Sequence, residues 1–386
     1  MTRRCALRGS PERATVDTLA ALRQADAQVL LFHPQLTVSE TTALFGRSEN
    51  PPLWPETHDV EGTGEVWVTT SGSSGEPRIV RLSWSALEQS AQGVWSALGG
   101  SPGDRWLCPL PLAHVAGLAV VERCRVGGGE PVFVEAAGSG AEILKGLQQP
   151  HVQFASLVPT QLKRLVAALE GIEAPCLKAV LVGGAATPPS LLRRARHAGL
   201  PVVCSYGLTE AGSTVAMTAV EDARQPEASG AEAEILPGFE ARTIDGELQL
   251  RGPWMFRGYV GAEDRSPESW FATGDEAELQ GRKLRFQARR GLSFKRGGEW
   301  IDPLEVERVL AACPGVLDIA IVPEPDEDLG HRTVGLVVSE RAGLDLVGTL
   351  DAFCADHLAR HKHPARWEFR AELPRSPLGK LLRNQL

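Results

Sequence analysis

The decisive stretch of this sequence lies between two β-like runs and reads Thr69-Thr70-Ser71-Gly72-Ser73-Ser74-Gly75-Glu76-Pro77-Arg78. Its two glycines allow backbone amides to turn toward an anion, because glycine has no Cβ that restricts the backbone. Five hydroxyl side chains add hydrogen-bond donors, and Arg78 adds a positive charge. A loop of this chemistry suits a polyphosphate, and the alternative is a flexible Ser/Gly hairpin. It is not a Walker A loop, because it lacks Gly-Lys-Ser/Thr.

Short apolar runs alternate with amphipathic segments from Val66 to Leu292. The runs that read as buried strands are Val66–Val68, Trp106–Cys108, Val132–Val134, Ala179–Val182 and Val202–Cys204. A capping box at Ser85–Glu88 predicts the start of a helix that ends at Gly99-Gly100. Its apolar face comprises Leu87, Ala91, Val94, Trp95 and Leu98. Two further helices are predicted from the stripe Leu162, Leu165, Val166, Leu169 and from Leu191–Arg196. This alternation predicts an α/β fold with a mainly parallel sheet.

The pattern changes in the second half of the chain. Short alternating strands with glycine and proline turns around Gly246–Tyr259 predict a β subdomain. A compact α+β segment follows Gly291, with predicted elements at Pro303–Ala312, Asp318–Val322, Thr333–Val338, Asp345–Arg360 and Trp367–Phe369. We therefore predict a large N-terminal domain over residues 1–290 and a small C-terminal domain over residues 291–386. The first sixty or so residues read as irregular, with a proline-rich connection at Pro51–Pro55.

Composition excludes several classes of protein. A chain of 386 residues is too long for one ordinary hydrophobic core, so two domains are expected. The formal charge of −8 argues against nucleic-acid binding. Seven scattered cysteines, never spaced as CxxC, are typical of reduced thiols. No apolar run could span a bilayer, and Cys5–Val16 is too polar for a secretory signal, so we expect a cytoplasmic protein with no integral membrane segment.

Five segments, in order, resemble the motifs of the adenylate-forming superfamily, which includes acyl-CoA synthetases, aryl-acid ligases and peptide-synthetase adenylation domains. The segments are Ser71–Arg78, Tyr206–Glu210, Thr273–Asp275, Arg289 with Gly297–Glu299, and Pro374–Lys380. The resemblance covers residues 64–386. It implies an enzyme that activates a carboxylate with ATP and transfers the acyl group to a thiol. It also implies a large domain of two sheets and a barrel, followed by a small mobile domain.

The resemblance assigns nucleotide contacts to named positions. The β- and γ-phosphates are expected at Thr70, Ser71, Gly72, Ser73, Ser74 and Gly75. Arg78 stands where the family usually has lysine, which replaces a point donor by a planar fork. The adenine is expected at Gly183-Gly184-Ala185 and at Tyr206 with Gly207, although the first of these segments also reads as a plain strand-to-loop turn. Asp275 and Arg289 are the expected ribose contacts.

The implied catalytic group comprises Thr209, Glu210 and Lys380, together with Arg78. Thr209 is the expected contact to the α-phosphate, and Glu210 is the expected carboxylate for Mg²⁺, a hard cation that binds oxygen ligands. Adenylation brings a substrate carboxylate against the α-phosphate, so two anions approach one another. A lysine ammonium between them offsets the repulsion and stabilises charge in the transition state, which is the role implied for Lys380.

The remaining implied positions concern the acid, the thiol and the joint between domains. His114, within Leu110–Gly117, and Thr160, within Ser156–Leu162, are expected beside the acid, although a structural histidine is the alternative for His114. Gly297-Gly298 would let the pantetheine arm of coenzyme A pass close to the backbone. Gly291 stands at the expected hinge, where the family usually has Asp or Lys, and glycine absorbs large changes in φ and ψ.

The compact length and the two pocket-side segments resemble the o-succinylbenzoate–CoA ligases of menaquinone biosynthesis. ATP, Mg²⁺ and coenzyme A are the implied cofactor and co-substrates, and the chain ends at Leu386 without a carrier domain, which favours free coenzyme A. The alternatives are another aryl- or acyl-CoA ligase, a carrier-loading adenylation enzyme, and a nucleotide-binding regulator without turnover. The sequence allows a homodimer and does not fix the acid.

Overall fold

The computed structural model describes residues 4–10, 12–32, 64–70, 78–134, 139–292, 294–296, 299–326, 329–339, 344–376 and 381–386. The strands are β1 Arg4–Arg8, β2 Gln28–Phe32, β3 Glu65–Thr70, β4 Arg78–Ser83, β5 Arg105–Cys108, β6 Glu130–Phe133, β7 Val152–Leu157, β8 Ala179–Val182, β9 Val202–Leu208, β10 Ser213–Met217, β11 Glu232–Ile235, β12 Glu240–Ile244, β13 Glu247–Arg251, β14 Gly258–Tyr259, β15 Phe271–Gln280, β16 Lys283–Arg289, β17 Phe294–Arg296, β18 Glu299–Ile301, β19 Asp318–Asp326, β20 Gly330–Val338 and β21 Arg366–Arg370. The α-helices are α1 Arg13–Gln24, α2 Trp84–Ala97, α3 Val115–Gly127, α4 Gly140–Leu147, α5 Pro159–Ala168, α6 Pro189–His197, α7 Pro303–Leu310 and α8 Leu344–His357. Short 3₁₀ turns lie at Thr209–Ala211, Arg360–Lys362 and Arg383–Gln385.

The first sheet has the strand order β1-β2-β3-β4-β14. Strands β1, β2 and β3 run parallel, and β4 returns antiparallel beside β3. The prediction of irregular structure before residue 60 is therefore wrong for β1, α1 and β2. The sequence signal was the run Gln28–Phe32, which is buried along its whole length. Pro51–Pro55 lies outside the described residues.

The second sheet has the order β12-β13-β15-β16-β11-β10-β9-β8-β7-β5-β6. The strands β6, β5, β7, β8 and β9 are parallel, as the alternation of strands and helices predicts. From β10 onward the pairing is antiparallel. The predicted short strands around residue 250 are present: β13 is hydrogen-bonded between β12 and β15 of this sheet, and β14 pairs with β4 of the first sheet.

Helix α2 forms where the sequence predicts it, with a cap two residues earlier. The Ser83 hydroxyl accepts from the Ala86 amide at 3.1 Å, whereas the Ser85 hydroxyl accepts from the Gln89 side chain. Its predicted apolar face is buried at Leu87, Ala91, Val94, Trp95 and Leu98. The helix ends before Gly99, whose φ of +69° suits glycine.

A smaller C-terminal domain contains the sheet β19-β20-β21 with α7 and α8. It has its own core, which includes Ile301, Val306, Leu310, Ile321 and Leu350. The predicted helices and strands of this domain are confirmed to within a few residues at their ends. The boundary at residue 291 stays a prediction. Within the described part of the chain, no helix is both long and apolar enough to cross a membrane.

Candidate nucleotide and acyl site

Four of the predicted site segments follow four neighbouring parallel strands. His114 follows β5, Thr160 follows β7, Gly183 follows β8, and Tyr206 lies near the end of β9. The carboxyl ends of parallel strands meet at one edge of a sheet, and ligands of α/β proteins bind in the crevice outside that edge. The fold therefore collects these segments at one edge, although they span about a hundred residues of sequence.

Hydrogen bonds connect the two segments predicted to border the acid. The Gln161 side chain accepts from the Val158 amide at 3.1 Å and donates to the Pro109 carbonyl at 2.8 Å. Thr160, half-buried, lies in the first turn of α5, and His114 is the residue that precedes α3. The His114 Nε2 atom is buried. The ends of β5 and β7 are thus held together beside these two side chains.

The glycine pair after β8 lies against β9. A Cβ on Gly183 would come within 2.5 Å of the Ser205 hydroxyl oxygen, and Gly184 has a φ of +80°. Both positions therefore disfavour a side chain. Gly184 and Ala185 are exposed, which leaves this segment open to a ligand next to Tyr206.

Tyr206, Asp275 and Arg289 form one hydrogen-bonded group. The Tyr206 hydroxyl donates to Asp275 Oδ2 at 2.6 Å, and Arg289 Nη1 donates to Asp275 Oδ1 at 2.7 Å. Asp275 is 3% exposed. Burial, and next the Asp275 carboxylate, raises the pKa of Tyr206 well above its usual value, so the phenol stays a neutral donor. The sequence assigned these three residues to one nucleotide but did not predict that they bond to one another.

Glu210 lies in the 3₁₀ turn that follows β9. Its backbone carbonyl accepts from the Phe256 amide at 2.7 Å, and its Oε1 accepts from the Tyr259 hydroxyl at 2.8 Å. Thr209 is the preceding residue and is half-buried. Gly207 faces β10, where a Cβ would come within 2.0 Å of the Ser213 carbonyl oxygen. A side chain at position 207 would push β9 from β10, so glycine there has a packing reason.

Tyr259 is a site residue that sequence reasoning missed. The Arg78 guanidinium carbon lies 5.3 Å from the centre of the Tyr259 ring, so the tyrosine contacts both Arg78 and Glu210. Burial, with the Glu210 carboxylate next, raises the pKa of Tyr259 to about 12. Arg78 is exposed and pairs with Thr70 across β3 and β4. These two residues flank Ser71, Gly72, Ser73, Ser74 and Gly75, which lie outside the described residues, as do Gly297, Gly298 and Lys380.

Arg123 is a second residue that sequence reasoning missed. It lies on α3 and is 2% exposed, and it donates to the Thr214 hydroxyl at 3.1 Å. Within the described ranges no carboxylate forms an ion pair with it. Burial lowers the pKa of Arg123 to about 10, so the guanidinium is still charged at neutral pH. Its guanidinium carbon lies 5.2 Å from the centre of the Trp106 ring, which offsets part of the cost of burying the cation, and an anionic ligand would offset more.

The side-chain oxygens of Glu210 suit a Mg²⁺ ion that arrives already bound to the phosphates of ATP. Among the described residues, no group of three or more His, Cys, Asp or Glu side chains could hold a metal ion. Glu210 accepts one hydrogen bond from Tyr259 and keeps further acceptor positions on its two oxygens. A site with a single protein carboxylate suits Mg²⁺, which takes most of its ligands from substrate phosphates and water.

Comparison with known proteins agrees with this geometry. The AMP-binding enzyme family matches residues 14–260, and the AMP-binding enzyme C-terminal domain matches residues 305–380. A 2-succinylbenzoate–CoA ligase of Escherichia coli (strain K12) is 37% identical over 379 residues, which cover 90% of this chain and 78% of that protein.

Two solved structures of o-succinylbenzoate CoA synthetase from Bacillus subtilis have the same fold. The complex with the acyl-adenylate intermediate OSB-AMP has a TM-score of 0.83 at 26% identity and covers 99% of this chain and 87% of that chain. The complex with ATP and magnesium ion has a TM-score of 0.83 at 25% identity, with coverage of 100% and 89%. By its motifs, its fold and these matches, the chain belongs to the AMP-binding enzyme family.

Proposed function

We propose that the chain is an ATP-dependent, AMP-forming ligase that converts o-succinylbenzoate and coenzyme A into o-succinylbenzoyl-CoA. The observation that carries the proposal is the hydrogen-bonded group of Tyr206, Asp275 and Arg289, three residues from the family's motifs, in a chain 37% identical to a 2-succinylbenzoate–CoA ligase. The reaction has two halves. The acid's carboxylate attacks the α-phosphate of ATP and releases pyrophosphate, and the coenzyme A thiol then attacks the acyl carbonyl and releases AMP.

The nucleotide roles rest on the contacts described above. Tyr206 would stack on the adenine beside Gly183, Gly184, Ala185 and Gly207, while Asp275 and Arg289 would receive the ribose. The bond from Tyr206 to Asp275 supports this assignment, because it holds the aromatic ring and the carboxylate in one unit. Preorganised groups of this kind bind without first having to be ordered.

The phosphate roles rest on Arg78, Thr209 and Glu210. Thr70, Ser71, Gly72, Ser73, Ser74 and Gly75 would hold the β- and γ-phosphates next to Arg78. Glu210 would hold Mg²⁺, which neutralises phosphate charge when bound. Lys380 would place its ammonium between the acid and the α-phosphate, where it stabilises the charge that develops during attack.

The choice of acid rests on Arg123 as well as on the relatives. o-Succinylbenzoate carries a second carboxylate that does not react, and Arg123 is a charged, buried group that the described part of the chain leaves without an anion. We propose that Arg123 pairs with this second carboxylate, and that His114 and Thr160 border the aromatic part. Such a site rejects acids that lack the second anion, because the buried cation is then left unpaired.

The thiol step and the domain movement complete the proposal. Gly297 and Gly298 would let the pantetheine arm pass, and Gly291 would be the hinge about which the domain from residue 291 turns. Gly291 has a φ of +82°, a conformation that glycine adopts freely. We also propose a cytoplasmic location, which the free thiols of Cys108, Cys124, Cys313 and Cys354 support. Light scattering after size exclusion would distinguish a monomer from a homodimer.

ATP–pyrophosphate exchange tests the proposed reaction class. The purified chain is incubated with labelled pyrophosphate, MgATP and o-succinylbenzoate, and exchange into ATP is followed with and without the acid. We expect exchange that depends on the acid, because adenylation is reversible until the thiol arrives. A chain that binds ATP but exchanges pyrophosphate with no acid of a broad panel would instead be a nucleotide-binding regulator.

A further inference from the structure

Tyr259 contacts two residues that have phosphate-side roles in the proposed function. Its hydroxyl donates to Glu210 Oε1 at 2.8 Å, and its ring lies 5.3 Å from the Arg78 guanidinium carbon. None of the family motifs read from the sequence includes it. The tyrosine therefore connects the end of the phosphate loop to the carboxylate expected to hold Mg²⁺.

The segment around Tyr259 forms hydrogen bonds with both the backbone and the side chain of Glu210. The Phe256 amide donates to the Glu210 backbone carbonyl at 2.7 Å, while Tyr259 donates to the side-chain carboxylate. The Phe256 and Tyr259 rings pack edge to face, with centroids 5.0 Å apart. Both donors thus come from one packed unit, which fixes the position and the rotation of the Glu210 carboxylate.

Tyr259 is itself fixed to the strands that flank the phosphate loop. It lies opposite Val80 in the pairing of β14 with β4, and the Val260 amide donates to the Ile79 carbonyl at 2.9 Å. Behind this pair, Arg81 donates to both oxygens of fully buried Glu65 at 3.1 Å each. A buried bidentate ion pair of this kind specifies one geometry for Arg81. Because Arg81 lies opposite Gly258 in the pairing of β14 with β4, the strand that carries Tyr259 is held in one position.

We propose that Tyr259 is a positioning residue that acts through Glu210, because its hydroxyl fixes the carboxylate in the orientation that receives the Mg²⁺ of MgATP. The inference rests on the proposed function, which places Mg²⁺ at Glu210. A carboxylate with one oxygen already bonded does not have to be ordered when the metal nucleotide arrives, and the affinity for that nucleotide rises accordingly. Tyr259 itself need not touch the nucleotide.

The test measures the gain in ATP affinity that Mg²⁺ confers, by calorimetry with Mg²⁺ and with EDTA. Tyr259→Phe keeps the ring, and so keeps the contacts with Arg78 and Phe256. We expect the Mg²⁺-dependent gain to fall about tenfold, as for loss of a hydrogen bond to a charged group. The affinity for ATP in EDTA should change by less than about twofold, because only the carboxylate is released.

A double-mutant cycle separates positioning from general structure. If Tyr259 acts through Glu210, Tyr259→Phe in a Glu210→Gln background should have less than about a twofold effect on the Mg²⁺-dependent gain. Glu210→Asp shortens the side chain and so draws the carboxylate back from the Tyr259 hydroxyl; it should lower the Mg²⁺-dependent gain as Tyr259→Phe does. It replaces Tyr259→Phe as the test if Tyr259→Phe does not unfold cooperatively. Ser139→Ala, which removes a hydroxyl that caps α4 at the surface, is the matched control.

Two results would overturn the inference. One is an unchanged Mg²⁺-dependent gain in both Tyr259→Phe and Glu210→Asp, and the other is an equal loss from Tyr259→Phe with and without Glu210→Gln. Failure of the proposed function looks different, since the wild-type chain would then show no pyrophosphate exchange. The calorimetric comparison would still decide the role of Tyr259 in that case.

Discussion

Each of the two tyrosines in the chain donates its hydroxyl to an acidic side chain of the candidate site. Tyr206 donates to Asp275, and Tyr259 donates to Glu210. Burial and the neighbouring carboxylate raise both phenol pKa values, so the hydroxyls remain protonated donors around neutral pH. At the scale of single residues, the site is therefore a pair of oriented carboxylates, one on the proposed ribose side and one on the proposed phosphate side.

Lys380 gives the first prediction at this scale. Lys380→Ala should lower kcat for adenylation by about 100-fold or more, because it removes an interaction made mainly in the transition state. The affinity for ATP should change little, and a supplied acyl-adenylate should still react with coenzyme A. The measurements are pyrophosphate exchange, calorimetric ATP binding and release of a preformed adenylate. Near-normal exchange in this variant would remove Lys380 from the catalytic group.

Arg123 gives the second prediction. Arg123→Met removes the charge and keeps an apolar side chain of similar length, and we expect kcat/KM for o-succinylbenzoate to fall about 100-fold. The value for benzoate should change by less than about threefold, because benzoate has no second carboxylate to pair. Replacing a buried charge by an apolar residue is often neutral for stability, so thermal unfolding serves as the control. Equal losses with both acids would show that Arg123 supports the fold and does not select the acid.

The sequence predicted the motif residues and could not predict how they pair. Tyr206, Glu210, Asp275 and Arg289 were found because their local motifs are distinctive. The Tyr259–Glu210 bond depends on β14 lying against β4, and strand pairing between distant segments leaves little local signal. Arg123 was missed for a related reason, since only the folded chain shows that it is buried and that no carboxylate of the described ranges pairs with it.

Element boundaries follow local chemistry where that chemistry is strong. The C-terminal helices and strands were predicted closely because each has a clear apolar period and a glycine or proline nearby. Two serine hydroxyls near the start of α2 are candidates for its N-cap. The Ser83 hydroxyl caps the helix, whereas the Ser85 hydroxyl accepts from the Gln89 side chain one turn later. The strands after residue 246 were predicted as a type, but their partners were not, because the pairing of β13 with β15 and of β14 with β4 is a tertiary property.

The prediction at the scale of elements concerns Gly291, in the turn after β16. Its φ of +82° excludes proline, whose ring fixes φ near −65°, and among the described residues, its chain neighbours aside, no atom lies within 4 Å of an added Cβ. Gly291→Pro should therefore impair whichever half-reaction uses this conformer much more than the other. Gly291→Asp should be tolerated, since Asp adopts positive φ more readily than most residues. Pyrophosphate exchange and thiol-dependent release of a preformed adenylate measure the two halves separately.

Gly281 provides a matched control for that substitution. It also has a positive φ, of +60°, and no atom of the described part of the chain beyond its neighbours lies near an added Cβ, but it lies in the turn between β15 and β16. Gly281→Pro should affect the two half-reactions equally. Equal losses in Gly291→Pro would indicate misfolding or a joint elsewhere, and full activity in both halves would show that the domains turn about another residue.

At the scale of the whole molecule, the candidate site draws residues from two sheets. The first sheet supplies the strands around the phosphate loop, and the second supplies the edge with Tyr206 and Glu210. Lys163 on α5 donates to the Leu317 carbonyl of the C-terminal domain at 2.8 Å, so the domains touch in this arrangement. A reaction in two halves suits this architecture, because one small domain can present different faces to one fixed site.

The central claim is most directly tested by the specificity constant for thioester formation. The wild-type chain is supplied with MgATP, coenzyme A and either o-succinylbenzoate or benzoate, and AMP release and thioester mass are measured. We predict that kcat/KM for o-succinylbenzoate exceeds that for benzoate by about 100-fold or more, because a site built to pair the second carboxylate rejects an acid without one. Equal or faster turnover of benzoate would contradict the assignment of o-succinylbenzoate as the substrate.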